Sequence, residues 1–215
     1  MNSPTLVAGR QHDRGVAWAV AEAAFPGEQQ SGDRCLIRPS GGGMLIAVVD
    51  GTGHGAAAAA AAKIAIATLE AHECETPLAL LLRCHEELKG TRGAVMTIAY
   101  VDHRDQTLTW LGVGNVEALL FHGPRQPKPD RALLRNGVIG YHLPAVRAEV
   151  LPLRPSDTLI MATDGITPDF GDALILHDDP ERIAVDILEK HRSRHDDALV
   201  VVARYLGVER APAPS

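Results

Sequence analysis

Two acidic motifs, far apart in the chain, each end an apolar run with the length of a β-strand. The first, Asp50-Gly51, follows Met44–Val49, and the second, Asp164-Gly165, follows Thr158–Thr163. A carboxylate at the end of a strand is held on a rigid element, and the glycine after it permits a turn and a close approach of another group. Two such motifs in one domain indicate carboxylates that converge on a hard cation.

Two further aspartates fit the same interpretation. Asp33 lies at the start of a predicted strand, and Asp196 directly precedes another, Ala198–Ala203. Mg²⁺ and Mn²⁺ prefer oxygen ligands, and four carboxylates suit a pair of such ions roughly 3.5–4 Å apart, bridged by one aspartate. Asp-Gly is also a common turn pair, so one motif alone is typical of a turn. The four acids together favour a metal site.

Asp196 is followed by a second aspartate, Asp197. Neighbouring side chains on an extended segment point in opposite directions. We therefore expect one of the two to be a ligand and the other to face solvent.

The segment Gly51–Ala56 matches the G-x-G-x-x-A dinucleotide fingerprint between a strand and a helix. A nucleotide-binding oxidoreductase is therefore an alternative, although no acidic residue ends a second parallel strand about twenty residues later. His54 lies between glycines at the start of a predicted helix, where we expect an exposed position. It could cap the helix, support a ligand or act as a general acid.

Other candidate positions have simpler interpretations. Gly112–Asn115 lies between two predicted strands and is typical of a hairpin turn. The remaining histidines, which include His103 and His122, are predicted to lie on the surface. A solvated acidic loop that could hold a third ion contains Asp169, Asp172, Asp178 and Asp179.

Composition limits the class of protein. The chain has 215 residues, which is about one domain, and it is 46% hydrophobic but only 4% aromatic. The net charge of −6 without a basic run argues against nucleic-acid binding. The three cysteines form no CxxC pair, and no apolar run approaches the roughly 18 residues of a membrane helix. We expect a cytoplasmic protein that binds neither nucleic acid nor membrane.

The hydrophobic pattern predicts three helices among many strands. The helices are predicted over 56–71, from Pro77 to about Lys89, with Thr76 as its cap, and from Pro180 to about Lys190. The strands are predicted over 16–24, 34–37, 44–49, 94–101, 107–111, 116–121, 147–153, 158–162 and 198–205, with a Pro-rich loop over 123–129. This order predicts an α+β fold with antiparallel sheets covered by helices. A single domain is expected over 1–207, followed by a frayed tail over 208–215.

The motifs resemble those of PPM-type metal-dependent protein phosphatases. The Asp-Gly-x-Gly-His-Gly form is similar to the bacterial branch of the stage II sporulation phosphatase, and the length is similar to RsbX-type stressosome phosphatases. The resemblance rests on Ser31-Gly32-Asp33, Asp50–Gly55, Gly93-Ala94 with Thr97, Gly112–Asn115, Thr163-Asp164-Gly165 and Asp196-Asp197.

This resemblance implies an αββα sandwich, in which helices flank an antiparallel β-sandwich, and two Mn²⁺ or Mg²⁺ ions at one edge. It implies that Asp50 bridges both ions and that the Gly51 carbonyl contacts one of them. It also implies that Asp33 serves one ion and that Asp164 and Asp196 serve the other. Asp50, Asp164 and Asp196 are then the catalytic set, with Gly53, His54 and Asn115 near the substrate or behind the ligands.

The implied activity is hydrolysis of phosphoserine or phosphothreonine on proteins. For the RsbX-like branch, the implied partners are phosphorylated STAS-domain proteins of a stressosome, and the implied role is to reset a general stress response. A non-catalytic binding module of the same fold, docked in a signalling complex, is the alternative.

Overall fold

A computed structural model of the chain describes residues 5–7, 15–25, 30–123, 128–172, 174, 176, 179–193 and 195–207. The predicted tail, Asp178 and residues 124–127 of the predicted Pro-rich loop lie outside these ranges. The strands are β1 (Thr5–Val7), β2 (Val16–Ala23), β3 (Asp33–Ser40), β4 (Gly43–Gly51), β5 (Ala94–Asp102), β6 (Thr107–Val113), β7 (Glu117–Phe121), β8 (Asp130–Arg131), β9 (Leu134–Arg135), β10 (Glu149–Pro152), β11 (Thr158–Ala162) and β12 (Ala198–Tyr205). The helices are α1 (Ala56–Ala71), α2 (Pro77–Glu87), α3 (Pro180–His191) and a short 3-10 helix (Pro168–Gly171).

The strands form two sheets. Sheet I has the order β1-β2-β12-β11-β7-β8, and sheet II has the order β10-β6-β5-β4-β3, with β9 paired to β6. The pairs are antiparallel except β6 with β9. This confirms the predicted α+β class.

Three apolar layers hold the sandwich together. The central layer lies between the sheets and includes Ile46, Trp110 and Met161. A second layer packs α1 and α2 on sheet II, and a third packs α3 on sheet I. Each sheet therefore buries both faces, which explains why β4 and β12 are continuous apolar runs rather than alternating ones.

Small side chains let α1 approach sheet II closely. Five of its alanines are fully buried, and the helix lies so near the end of β4 that a Cβ at Gly51 would be 2.1 Å from the Ala58 carbonyl oxygen. Glycine is therefore required at position 51, and the close packing fixes where the strand end and its aspartate lie.

The predicted elements are present, with some shifts at their ends. The bounds of α1, β11 and β12 agree with the prediction, whereas β3, β4 and β6 are longer and β10 is shorter. The shortest strands, β1, β8 and β9, were not predicted, because two or three residues carry too little pattern.

The hairpin interpretation of Gly112–Asn115 was wrong. Strand β6 belongs to sheet II and β7 to sheet I, so this segment crosses between the sheets. Gly114 makes the crossing possible, because its φ is +100° and a Cβ there would lie 2.2 Å from the Val95 side chain.

At the end of β11 away from Asp164, His122 contacts two carboxylates. Its Nε2 lies 2.8 Å from Asp130 Oδ2, and its Nδ1 lies 3.1 Å from Asp157 Oδ2. The bond to Asp130 contributes most to raising the pKa of His122, with Asp157 adding to it against the cost of partial burial. His103, predicted on the surface, is 9% exposed and stacks on Tyr205, so that prediction was wrong.

None of the helices in the described part of the chain is both long and apolar enough to span a bilayer.

Candidate metal centre

Four strand ends bring the predicted acids to one edge of the sandwich. Asp33 begins β3 and Asp50 lies near the end of β4, where the two face each other in register on sheet II. On sheet I, Asp164 follows β11 by two residues and Asp196 precedes β12 by two. Two acids from each sheet therefore meet across the gap between the sheets.

Thr163 links the two sheets at this edge. Its Oγ1 donates a hydrogen bond to Asp33 Oδ2 at 2.7 Å and accepts one from the Leu199 N–H at 2.9 Å. Thr163 is 1% exposed and Asp33 is 3% exposed. The hydroxyl therefore fixes the Asp33 carboxylate relative to sheet I without competition from water.

Asp197 has a different role from Asp196. Its Oδ1 accepts the Phe25 N–H and its Oδ2 accepts the Gly32 N–H, both at 2.7 Å. Asp196 is half-buried, and its Oδ1 accepts the Asp197 N–H at 2.8 Å. The expectation that one of the pair faces solvent was wrong, because the two backbone donors stabilise the Asp197 carboxylate in a buried position. Asp196 is thereby left as the member of the pair that is available to a cation.

A close backbone contact sets Asp164 beside Asp196. A Cβ at Gly165 would lie 1.8 Å from the Asp197 carbonyl oxygen, so only glycine permits the two acidic segments to touch here. The Asn115 amide, carried on the segment that crosses between the sheets, donates to Asp164 Oδ2 at 2.7 Å. Asn115, which the resemblance placed near the substrate or behind the ligands, therefore orients the Asp164 carboxylate.

Burial and the neighbouring carboxylates raise the pKa values of three of these acids. Burial raises the pKa of Asp50 to about 8, with Asp164, Asp196 and Asp197 adding to it. Burial, then Asp50, raises the pKa of Asp33 well above its ordinary value, against the bond from Thr163. The pKa of Asp164 is also raised, first by partial burial and then by Asp196. The ionised carboxylates are therefore disfavoured at this edge, and no described cationic side chain forms an ion pair with them.

This donor set fits a hard divalent cation. The donors are carboxylate oxygens, and bound cations would offset both the burial and the mutual repulsion that disfavour their ionised forms. Within the described ranges, no three His, Cys, Asp or Glu side chains already surround a single point as ligands. Mg²⁺ needs only one or two carboxylates with its remaining positions filled by water, so the arrangement satisfies its requirement. The assignment of individual ligands stays a prediction.

Gly53 and His54 lie on the loop between β4 and α1 and are exposed. The His54 ring lies 6.3 Å from the Phe25 ring, centroid to centroid. The dinucleotide interpretation of this loop does not fit the fold, because β4 pairs antiparallel with both neighbours and α1 leads into a second helix. The described chain therefore lacks a parallel βαβ unit at this loop.

The acidic loop after Asp164 has structural contacts of its own. Asp169 accepts the Thr167 hydroxyl and lies 3.3 Å from His191 Nδ1, and Asp179 caps α3 by accepting the Glu181 N–H at 3.1 Å. Of the four acids predicted for a third ion, these two therefore serve the local fold, and Asp172 is exposed.

Sequence reasoning missed the parts played by Thr163 and Asp197. Both were quoted in motifs, but neither was given a contact. A threonine at the end of a fully buried strand is a usable signal, because its hydroxyl must find a partner there. Asp197 carried no such signal, since its partners lie 165 and 172 residues away in the chain.

Known proteins are similar to this chain over most of its length. Residues 40–206 match the family model SpoIIE, stage II sporulation protein E. The match includes Asp50, Asp164 and Asp196 but begins after Asp33. The phosphoserine phosphatase RsbX of Bacillus subtilis strain 168 is 24% identical over 183 residues, which are 83% of this chain and 89% of RsbX.

Solved structures share the fold. A chain from the bacterial stressosome, described as a modular system adapted to control secondary messenger signalling, is 31% identical with a TM-score of 0.80, over 88% of this chain and 99% of that one. The crystal structure of RsbX in complex with magnesium is 20% identical with a TM-score of 0.81, over 94% and 100% of the two chains. Because the SpoIIE model spans most of a sandwich whose strand ends gather these aspartates, the chain belongs to the SpoIIE family of PPM-type phosphatases and is a phosphoprotein phosphatase homologous to RsbX.

Proposed function

We propose that this protein is a cytoplasmic phosphatase that removes phosphate from phosphoserine or phosphothreonine on STAS-domain proteins of a stressosome, and so resets a general stress response. Two Mn²⁺ or Mg²⁺ ions would be held by Asp33, Asp50, the Gly51 carbonyl, Asp164 and Asp196, with Asp50 between them. The observation that carries the proposal is the convergence of four aspartates from two sheets at one edge, where burial and the neighbouring carboxylates raise the pKa values of Asp33, Asp50 and Asp164.

The chain's own side chains orient this set. Thr163 fixes the Asp33 carboxylate, and Asn115 fixes that of Asp164. Asp197 holds the backbone of Gly32 and therefore the start of β3. When bound, divalent ions supply a water of lowered pKa as the nucleophile and neutralise charge on the phosphoryl oxygens. The residues around them determine where the ions and the substrate phosphate lie.

The relatives support the proposed substrate class. RsbX is named a phosphoserine phosphatase, and its whole length is nearly covered by this chain. The stressosome chain is matched over 99% of its length at 31% identity. These two likenesses, which come from proteins of comparable size, favour a stressosome phosphoprotein over a small phosphorylated metabolite as the substrate.

The experiment measures phosphate release from phosphorylated STAS-domain proteins with added Mn²⁺ or Mg²⁺, with and without a chelator. We expect release that depends on the metal and that Asp50→Asn abolishes. Asp105→Asn is the matched control. Asp105 is exposed in the turn after β5, which lies at the end of sheet II opposite to Asp50.

Two results would count against the proposal in different ways. Full activity of Asp50→Asn, or activity that survives the chelator, would remove the metal site from the mechanism. Activity on p-nitrophenyl phosphate with none on phosphorylated STAS-domain proteins would keep the phosphatase and refute the proposed substrates. Absence of both activities, with Mn²⁺ binding intact, would favour a non-catalytic module.

A further inference from the structure

An arginine lies at the rim of the acidic edge, on the connection between α2 and β5. The Thr52 N–H donates to the Gly93 carbonyl at 3.1 Å, and Gly51 is paired with Ala94. This pairing sets Arg92, the residue before Gly93, opposite the loop that follows Asp50. The Thr91 hydroxyl accepts the Gly93 N–H at 2.9 Å and donates to the Leu88 carbonyl at 2.7 Å, so the backbone on both sides of Arg92 is fixed.

The Arg92 side chain lies over Gly53. A Cβ at Gly53 would be 2.8 Å from an Arg92 terminal nitrogen, and the φ of Gly53 is +89°. Glycine at this position therefore leaves room for the guanidinium as well as permitting the turn. Gly53 is three residues beyond Asp50, so their Cα atoms are at most about 11 Å apart.

Arg92 is exposed and makes no hydrogen bond or ion pair with the described residues. Three other exposed arginines form ion pairs, Arg38 with Glu73, Arg83 with Glu75 and Arg131 with Glu117. Four more form none with the described residues, but they lie elsewhere on the surface: Arg104, Arg135, Arg147 and Arg154. A guanidinium that is positioned by backbone contacts, yet has no protein anion, has its donors available to a ligand. It lies over the loop that follows Asp50, at the rim of the acidic edge.

We propose that Arg92 binds a non-bridging oxygen pair of the substrate's phosphoryl group and positions it against the acidic edge. The guanidinium presents two parallel N–H donors that match a phosphate, and such bonds are about twice as strong as those between neutral groups. The ligand class is a phosphate monoester dianion, the phosphoserine or phosphothreonine side chain. This inference rests on the proposed function for the identity of the substrate, but the phosphate site itself is testable without turnover.

The kinetic test compares Arg92→Met and Arg92→Lys with wild type on a phosphoserine substrate. We expect the KM, and the inhibition constant of inorganic phosphate, to rise about tenfold to a hundredfold in Arg92→Met, with a smaller loss of kcat. Arg92→Lys should fall between the two, because a lysine keeps the charge but loses the paired donors. Arg104→Met, an exposed arginine in the turn after β5, should leave both constants unchanged.

A second readout does not need activity. Phenylglyoxal modification of arginines, mapped by peptide mass spectrometry on the metal-loaded protein, should be slowed at Arg92 by inorganic phosphate and unaffected at Arg104. An unchanged KM in Arg92→Met together with no protection by phosphate would overturn the proposal. If wild type hydrolyses no phosphoprotein, the proposed function fails, and protection or its absence still decides whether Arg92 binds phosphate.

Discussion

Neutralising each member of the Asp196-Asp197 pair separately should give opposite results. Asp197→Asn keeps the size of the side chain but leaves one acceptor oxygen for two backbone donors, the Phe25 and Gly32 N–H groups. One N–H then faces the amide nitrogen of the asparagine, which is also a donor. Asp196→Asn keeps the oxygen that accepts the Asp197 N–H and removes only a charge.

The size of the Asp197→Asn effect follows from these contacts. Each hydrogen bond to a charged group contributes about 1.5–3 kcal/mol, and the asparagine recovers part of one. The change also removes a charge that raises the pKa values of Asp33 and Asp50, which offsets part of the loss. We therefore expect the free energy of unfolding to fall by about 2–4 kcal/mol, and the Tm by about 4–16 °C for a chain of this size.

Asp196→Asn should leave the metal-free protein as stable as wild type or slightly more stable, because Asp196 raises the pKa values of Asp50 and Asp164. It should weaken Mn²⁺ binding and abolish phosphate release.

Urea unfolding in a chelator and calorimetric Mn²⁺ titration of the same two variants give the assay. The reasoning would be refuted by a stable Asp197→Asn protein that has lost its metal, or by a destabilised Asp196→Asn protein that binds Mn²⁺ like wild type.

Three further outcomes are expected from the same contacts. Thr163→Val should lower the free energy of unfolding by about 2–4 kcal/mol, because it leaves the buried Leu199 N–H unpaired and Asp33 without its donor. Thr163→Ser should recover most of this loss, and equal losses in urea unfolding would contradict the account. The pKa of His122 is raised in the folded protein, chiefly by the bond to Asp130, so its stabilising contribution is complete below its unfolded pKa of about 6.5 and is lost as the pH rises through the folded value. Urea unfolding of His122→Gln and wild type should therefore differ more at pH 6 than at pH 9, and a difference that grows with pH would contradict this. A thiol reagent at pH 8 should label Cys74 alone in the folded protein, since burial raises the pKa of the other two thiols to about 12, and rapid labelling of a second cysteine would be the contrary result.

The fold was largely predictable because its strong signals are local. The alanine run of α1, the Thr76-Pro77 start of α2 and the apolar runs of β11 and β12 each carry their own pattern. The crossing at Gly112–Asn115 was not predictable, because two strands joined by a short turn look alike whether they share a sheet or not. Sheet membership is decided by packing between residues that are distant in the chain.

The same distinction between local signals and distant contacts applies to the candidate metal centre. The identity and order of Asp33, Asp50, Asp164 and Asp196 could be read from residue type and position at strand ends. The partners that orient them could not, because Thr163 meets Asp33 across 130 residues and Asn115 meets Asp164 across 49. Such pairs leave no periodic trace in a single sequence.

The division of the acids between the two sheets has a mechanical consequence. Any slide of one sheet over the other would change at once every spacing between an acid of sheet I and an acid of sheet II, while leaving the ladders within each sheet intact. Cations bound between the acids of the two sheets would therefore stabilise the contact between the sheets. Whatever loosens that contact, even at the far end, would reduce the affinity for the ions by the same free energy that the ions contribute to it.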